Sequence, residues 1–92
     1  MLESKIQANC INYAKKLGWI CCKNIKCSIN GFPDLSMYKN GITIFIEFKT
    51  ETGKQSELQK YVEKQLTQQN FEYWLIRSLS DFKNKFQESN LY

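Results

Sequence analysis

Histidine is missing from the 92 residues, and proline occurs once. The first absence excludes His-based acid–base catalysis, His-ligated zinc and a Ser-His-Asp triad. Chemistry, if any, falls to carboxylates, lysines or thiols. No apolar stretch approaches the roughly 20 residues of a membrane span, and Met1-Leu2-Glu3-Ser4-Lys5 does not open a signal peptide. A cytosolic protein with no membrane partner is expected. Repeats, low-complexity runs and linkers are also lacking, so one domain over residues 1–92 is expected.

The four cysteines lack a CxxC pair. Cys21 and Cys22 are adjacent and would point to opposite faces of a strand. That spacing serves neither a zinc site nor a dithiol centre well. Cys10, Cys21, Cys22 and Cys27 are expected as small buried hydrophobes. A thiol-based redox protein using Cys21 and Cys22 stands as the rival enzymatic class.

What is present fits a soluble globular domain: 42% hydrophobic and 24% charged residues, with a net charge of +4. The charge is a mild lean toward polyanions. A chain this short has a marginal core that dimerisation would support. Residues 2–17 place Leu2, Ile6, Cys10, Tyr13 and Leu17 at helical spacing, and Gly18 marks the stop. Residues 19–22 read as a short strand and 23–32 as an irregular segment. Two alternating runs, 34–39 and 42–49, flank Asn40-Gly41, the signature of a two-residue type I′ hairpin. The second run is apolar on both faces, which predicts a central strand. After a polar loop at 50–55, Ser56 opens a helix to residue 69 with Leu58, Val62 and Leu66 on one face. Residues 71–77 form the next strand, and Ser80 caps a last helix to residue 86. Strand–helix–strand implies a right-handed crossover into a parallel pair. The expected fold is a small α/β domain with a mixed sheet, with Trp19, Tyr73 and Trp74 in its core.

The hairpin register carries the chemistry. With Asn40-Gly41 as the turn, Lys39 faces Ile42, and counting back brings Asp34 opposite Glu47. Directly opposed side chains have Cβ atoms about 4.5–5.5 Å apart, and like charges there are destabilising. A hard cation such as Mg²⁺ or Mn²⁺ between them would resolve the conflict. Lys49, two residues past Glu47, shares its face and could orient a water or steady charge on a phosphate. A solvated pair with Lys49 as its ion-pair partner is the structural alternative.

Pro33-Asp34, twelve intervening residues, then Glu47-Phe48-Lys49 resembles the PD-(D/E)XK nuclease superfamily. More narrowly, Gly31-Phe32-Pro33-Asp34-Leu35, Ile46-Glu47-Phe48-Lys49-Thr50 and Gly53-Lys54-Gln55-Ser56-Glu57-Leu58-Gln59 resemble a stand-alone VRR-NUC domain of phage and bacterial type, over about residues 2–80. The resemblance implies a restriction-endonuclease-like core, a mixed central β-sheet flanked by helices. It implies Mg²⁺ or Mn²⁺ on Asp34, Glu47 and the Phe48 carbonyl. Glu3 would approach directly or through water, Lys49 would be the catalytic lysine, and Gln59 would position the centre or the DNA. It also implies an endonuclease acting on branched DNA, four-way junctions or flaps. A homodimer is expected from the small size of the domain, in the cytoplasm, the host's if the chain is phage-encoded. A nuclease fold that binds DNA without turnover is the alternative. Gln59 is also the third helical residue after Ser56, so a capping box explains it equally. Glu3 could serve only the helix dipole. Lys54, Lys60 and Lys64 suit either phosphates or solvent. One departure is visible: Leu75-Ile76-Arg77 stands where the family carries Val-Arg-Arg.

Overall fold

The computed structural model describes residues 2–91. Its elements run α1 (Glu3–Lys16), β1 (Ile20–Lys23), β2 (Leu35–Lys39), β3 (Ile42–Phe48), α2 (Glu57–Gln68), β4 (Glu72–Ile76) and α3 (Leu79–Ser89). The strands form one mixed sheet in the order β1-β2-β3-β4. β1–β2 and β2–β3 are antiparallel and β3–β4 parallel, so β3 lies inside the sheet. Among the described residues, no helix is long and apolar enough to cross a membrane.

Local chemistry explains the punctuation. Asn40 and Gly41 both take positive φ, +50° and +78°, as the type I′ turn requires. The resulting register pairs Lys39 with Ile42 and Leu35 with Ile46. α1 ends in a Schellman motif, Gly18 N–H on Lys15 O and Trp19 N–H on Ala14 O. α2 ends likewise, with Asn70 at φ +68° replacing glycine. The last helix differs from expectation. Ser78, not Ser80, caps it by accepting from Asp81 N–H, and it runs to Ser89.

The two sheet faces are unequal. Leu35, Met37, Ile44, Ile46, Phe48, Trp74 and Ile76 line one face and meet Ile6, Cys10 and Ala14 of α1 and Phe82 and Phe86 of α3. Edge-on rings knit this side, Trp74–Phe86 at 5.1 Å and Phe82–Phe86 at 5.0 Å. The opposite face carries Phe45, Glu47 and Tyr73, and α2 covers it through Val62, its one fully buried residue. Several sequence expectations are corrected here. Leu58, in the first turn of α2, is 55% exposed, and Leu2, at the N-cap of α1, is 75% exposed. Tyr73 is half-buried on the α2 side, apart from the core that holds Trp19 and Trp74. Cys10 is buried, Cys21 partly so, but Cys22 and Cys27 are exposed, since β1 is an edge strand and residue 27 lies in the loop after it.

That loop returns to the sheet through Gly31, which has φ +81° and sits against α2. A Cβ there would lie 2.7 Å from the Leu58 carbonyl carbon and 2.9 Å from Gln59 N. Backbone meets backbone, so the segment leading to Asp34 is referenced to the helix that carries Gln59. Gly41 has similar φ with open space around it. We therefore expect Gly41→Ala to cost about 1–2 kcal/mol for backbone conformation alone. Gly31→Ala should add an overpacking cost of about 1–3 kcal/mol. Urea denaturation measures both, and equal losses would refute the contact's importance.

Candidate active site

β2 leaves the antiparallel ladder just before Leu35. The Pro33 carbonyl accepts from Asn24 Nδ2 at 3.0 Å, and Asn24 N–H donates to Asp34 O at 2.8 Å. Phe48 N–H, on β3, donates instead to the Asp34 carboxylate Oδ2 at 2.8 Å. The Asp34 side chain thus replaces a ladder partner at the point where the register brings it opposite Glu47. Asn24 also donates to Ser36 Oγ at 2.9 Å, pinning both ends of this turn. Its role was invisible in the sequence, where it sits in an irregular segment with no motif.

Glu47 is the centre of the site. Its side chain is 1% exposed. Oε2 accepts from Gln59 Nε2 at 2.9 Å and lies 3.8 Å from Lys49 Nζ. Oε1 is buried and accepts no hydrogen bond among the described residues. Burial first, then the charge and hydrogen bond of Asp34, push the Glu47 carboxyl up to about 8, against the opposing pull of Lys49. Glu3 adds a smaller upward push, so its charge reaches the site. Among the described residues no three His, Cys, Asp or Glu side chains are gathered closely enough to hold a metal, so Glu3 is not drawn into one cluster with Asp34 and Glu47.

Gln59 makes the capping box that the sequence allowed and also reaches Glu47. Its Oε1 accepts from Ser56 N–H at 2.9 Å, Ser56 Oγ accepts from Gln59 N–H at 3.2 Å, and the remaining Nε2 faces Glu47. The capping box consumes the amide oxygen and so orients the NH₂ toward the carboxylate. Behind Glu47, Gln55 Nε2 bridges Tyr73 Oη at 3.3 Å and Glu63 Oε1 at 3.1 Å. Burial, then the nearby Glu47 charge, raises the Tyr73 phenol and keeps it protonated. Lys54, Lys60 and Lys64 are exposed, and Lys60 pairs with Glu57 at 3.4 Å.

Arg77 is the other residue whose role only the structure discloses. Its Nη1 donates to the carbonyls of Thr50 at 2.7 Å, Glu51 at 3.2 Å and Gly53 at 2.7 Å. It clamps the loop that follows Lys49.

No family model matches the sequence, and no curated protein matches it. The fold does have solved counterparts. One, described as "VRR_NUC domain", superposes with a TM-score of 0.84 at 22% identity, covering 98% of this chain and 97% of that one. The chain has the fold of a VRR_NUC domain. In this VRR_NUC fold Asp34, Glu47, Lys49 and Gln59 converge on one face of the sheet, and the single arginine of Leu75-Ile76-Arg77 secures the loop beside them.

The raised Glu47 carboxyl has a thermodynamic consequence. The folded state holds this proton up to about pH 8, whereas the free carboxyl loses it near 4.5. Folding therefore gains from the proton below the lower value, and that gain is lost as pH rises toward the upper one. In EDTA, stability should fall between about pH 5 and 8, and Glu47→Gln should flatten that slope. Asp34→Asn keeps an acceptor for Phe48 N–H while removing the opposed charge, and should raise the melting temperature at pH 8. Thermal melts across pH decide both; a flat wild-type profile would contradict the buried-carboxyl assignment.

Proposed function

We propose that the protein is a divalent-metal-dependent endonuclease that hydrolyses DNA phosphodiester bonds and prefers branched DNA. The observation that carries this reading is Glu47, buried opposite Asp34, with an Oε1 that accepts no hydrogen bond and Lys49 Nζ 3.8 Å from its other oxygen. A fold stabilises such an arrangement poorly by itself. The all-oxygen donor set suits Mg²⁺ or Mn²⁺, held by Asp34, Glu47 and the Phe48 carbonyl, with Glu3 acting through water. When bound, the ion would polarise the phosphate and lower the pKa of a coordinated water.

The protein's own groups do the rest. Gln59 holds Glu47 Oε2, and the buried Oε1 accepts no hydrogen bond, which leaves it available to an ion. Lys49, whose side chain is 16% exposed, is near enough to solvent to orient the attacking water or to offset charge on the phosphate. The likeness to a VRR_NUC domain supports the nuclease reading at the level of fold. Cleavage should require Mg²⁺ or Mn²⁺, and Asp34→Asn, Glu47→Gln and Lys49→Ala should each lower its rate by about 100-fold or more. A labelled-DNA assay in which EDTA leaves the rate unchanged would defeat the mechanism. DNA binding retained without cleavage in any metal would favour the silent binding module.

The preference for branches belongs with a homodimer. A domain of this size covers little DNA, and symmetric dimers are the commonest soluble assembly. Two copies would set two sites on one junction and pool their surface lysines, making binding steeply salt-dependent. Light scattering should report a dimer, and a four-way junction should bind more tightly than linear duplex. A monomer that cuts duplex and junction equally would leave the nuclease and remove the branch selectivity.

A further inference from the structure

β3 and β4 are parallel, and their carboxyl ends lead to the 50–53 loop and the start of α3. There the protein carries a cavity of about 340 Å³, lined by Ile6, Asn9, Glu51, Arg77, Ser78 and Leu79. Asp34, Glu47, Lys49 and Gln59 do not line it, yet it adjoins them in the chain. Glu51 is two residues beyond Lys49, and Ile6 lies one turn after Glu3. Its volume falls at the lower end of small-molecule sites, about 300–1,000 Å³. Its place, beyond the carboxyl ends of parallel strands, is where open α/β sheets commonly receive ligands.

The charged groups of this cavity are opposite in sign and not paired with each other. Arg77 is immobilised through Nη1 alone, on three loop carbonyls. Its Nη2 and Nε have no protein acceptor among the described residues. The Glu51 carboxylate has no hydrogen bond or ion pair among them either. An anion would be repelled by Glu51 and a cation by Arg77. A wholly apolar ligand would desolvate both groups without partners. What fits is a flat, neutral molecule with acceptors on one edge, donors on another, and faces that rest on Ile6 and Leu79.

We propose that the cavity receives an unpaired guanine base. Guanine offers O6 and N7 as a pair of acceptors for an arginine fork. Its N1–H and N2–H₂ form a donor edge for a carboxylate. Adenine sets a donor beside N7, against the arginine, and cytosine carries its donor and acceptors on a single edge, so neither bridges the two walls. A guanine in duplex has its N1/N2 edge occupied by cytosine, so the site selects guanine at a branch, flap or single strand. That DNA context rests on the nuclease reading; the recognition chemistry does not.

The test is NMR titration of the ¹⁵N-labelled protein in EDTA with d(TTGTT), against d(TTATT), d(TTCTT) and d(TTTTT). Amide shifts should concentrate on residues 6, 9, 51 and 77–79, and the guanine oligomer should bind at least about fivefold more tightly than the others. Glu51→Gln, in an exposed loop, should erase that preference while keeping a folded spectrum. Equal affinity for all four oligomers, shifts confined to other surfaces, or an unchanged preference in Glu51→Gln would each overturn the proposal. Because no cleavage occurs in EDTA, the two readings separate. Guanine preference in a protein that never cuts DNA would sustain the cavity and sink the nuclease, and cleavage without that preference would do the reverse.

Discussion

Placing the Glu47 carboxylate under the sheet surface beside Asp34 is the constraint around which this half of the molecule is organised. A buried carboxylate must be neutralised, hydrogen-bonded or paired. The fold supplies a partial answer: a proton held up to about pH 8, Gln59 on one oxygen, Lys49 at 3.8 Å, and a second oxygen that accepts no hydrogen bond. The surrounding devices keep that answer in place. Asn24 shapes the turn before Asp34, Gly31 presses the same segment onto α2, the Ser56 capping box aims Gln59, and Arg77 ties down the loop after Lys49.

The unequal sheet faces divide stability from chemistry. The α1/α3 side holds interlocked aromatics and the aliphatic rows of β2, β3 and β4. The α2 side has Val62 as its helix anchor, a smaller ring cluster of Phe32, Phe45 and Phe71, and polar contacts to Glu47, Tyr73 and Glu63. A site with a strained charge pair is best carried where loosening it does not unpack the main core. The exposed apolar residues of β1 and α2, Ile20 at 68% and Leu58 at 55%, follow from the same asymmetry.

Much of this was legible in the residues, and for identifiable reasons. The Asn-Gly turn admits one register, so the opposition of Asp34 and Glu47 could be counted without coordinates, and the side-chain period of two put Lys49 with them. The helix stop at Gly18 and the centrality of β3 were readable from backbone chemistry and from an apolar pattern on both faces. Burial was read less well. Cys22, Leu2 and Leu58 have apolar character and helical or strand spacing, and Cys27 apolar character alone, but exposure depends on what lies opposite, and nothing local records that β1 is an edge strand. Ser78 displaced Ser80 as the helix cap because both are competent, and the end of β4 decides between them.

By itself, then, the sequence determined the order of elements, the hairpin register and the acid–lysine triplet, all of which depend on interactions within a few residues or across one tight turn. The tertiary structure alone decided that Gln59, besides capping α2, holds Glu47, that Asn24 and Arg77 act as clamps, and that Glu51 and Arg77 share a cavity without pairing. Those contacts join residues 9 to 27 positions apart or different layers of the fold. Their geometry is set by how α1, α2 and α3 pack on the sheet, and no local pattern encodes a distance of that kind.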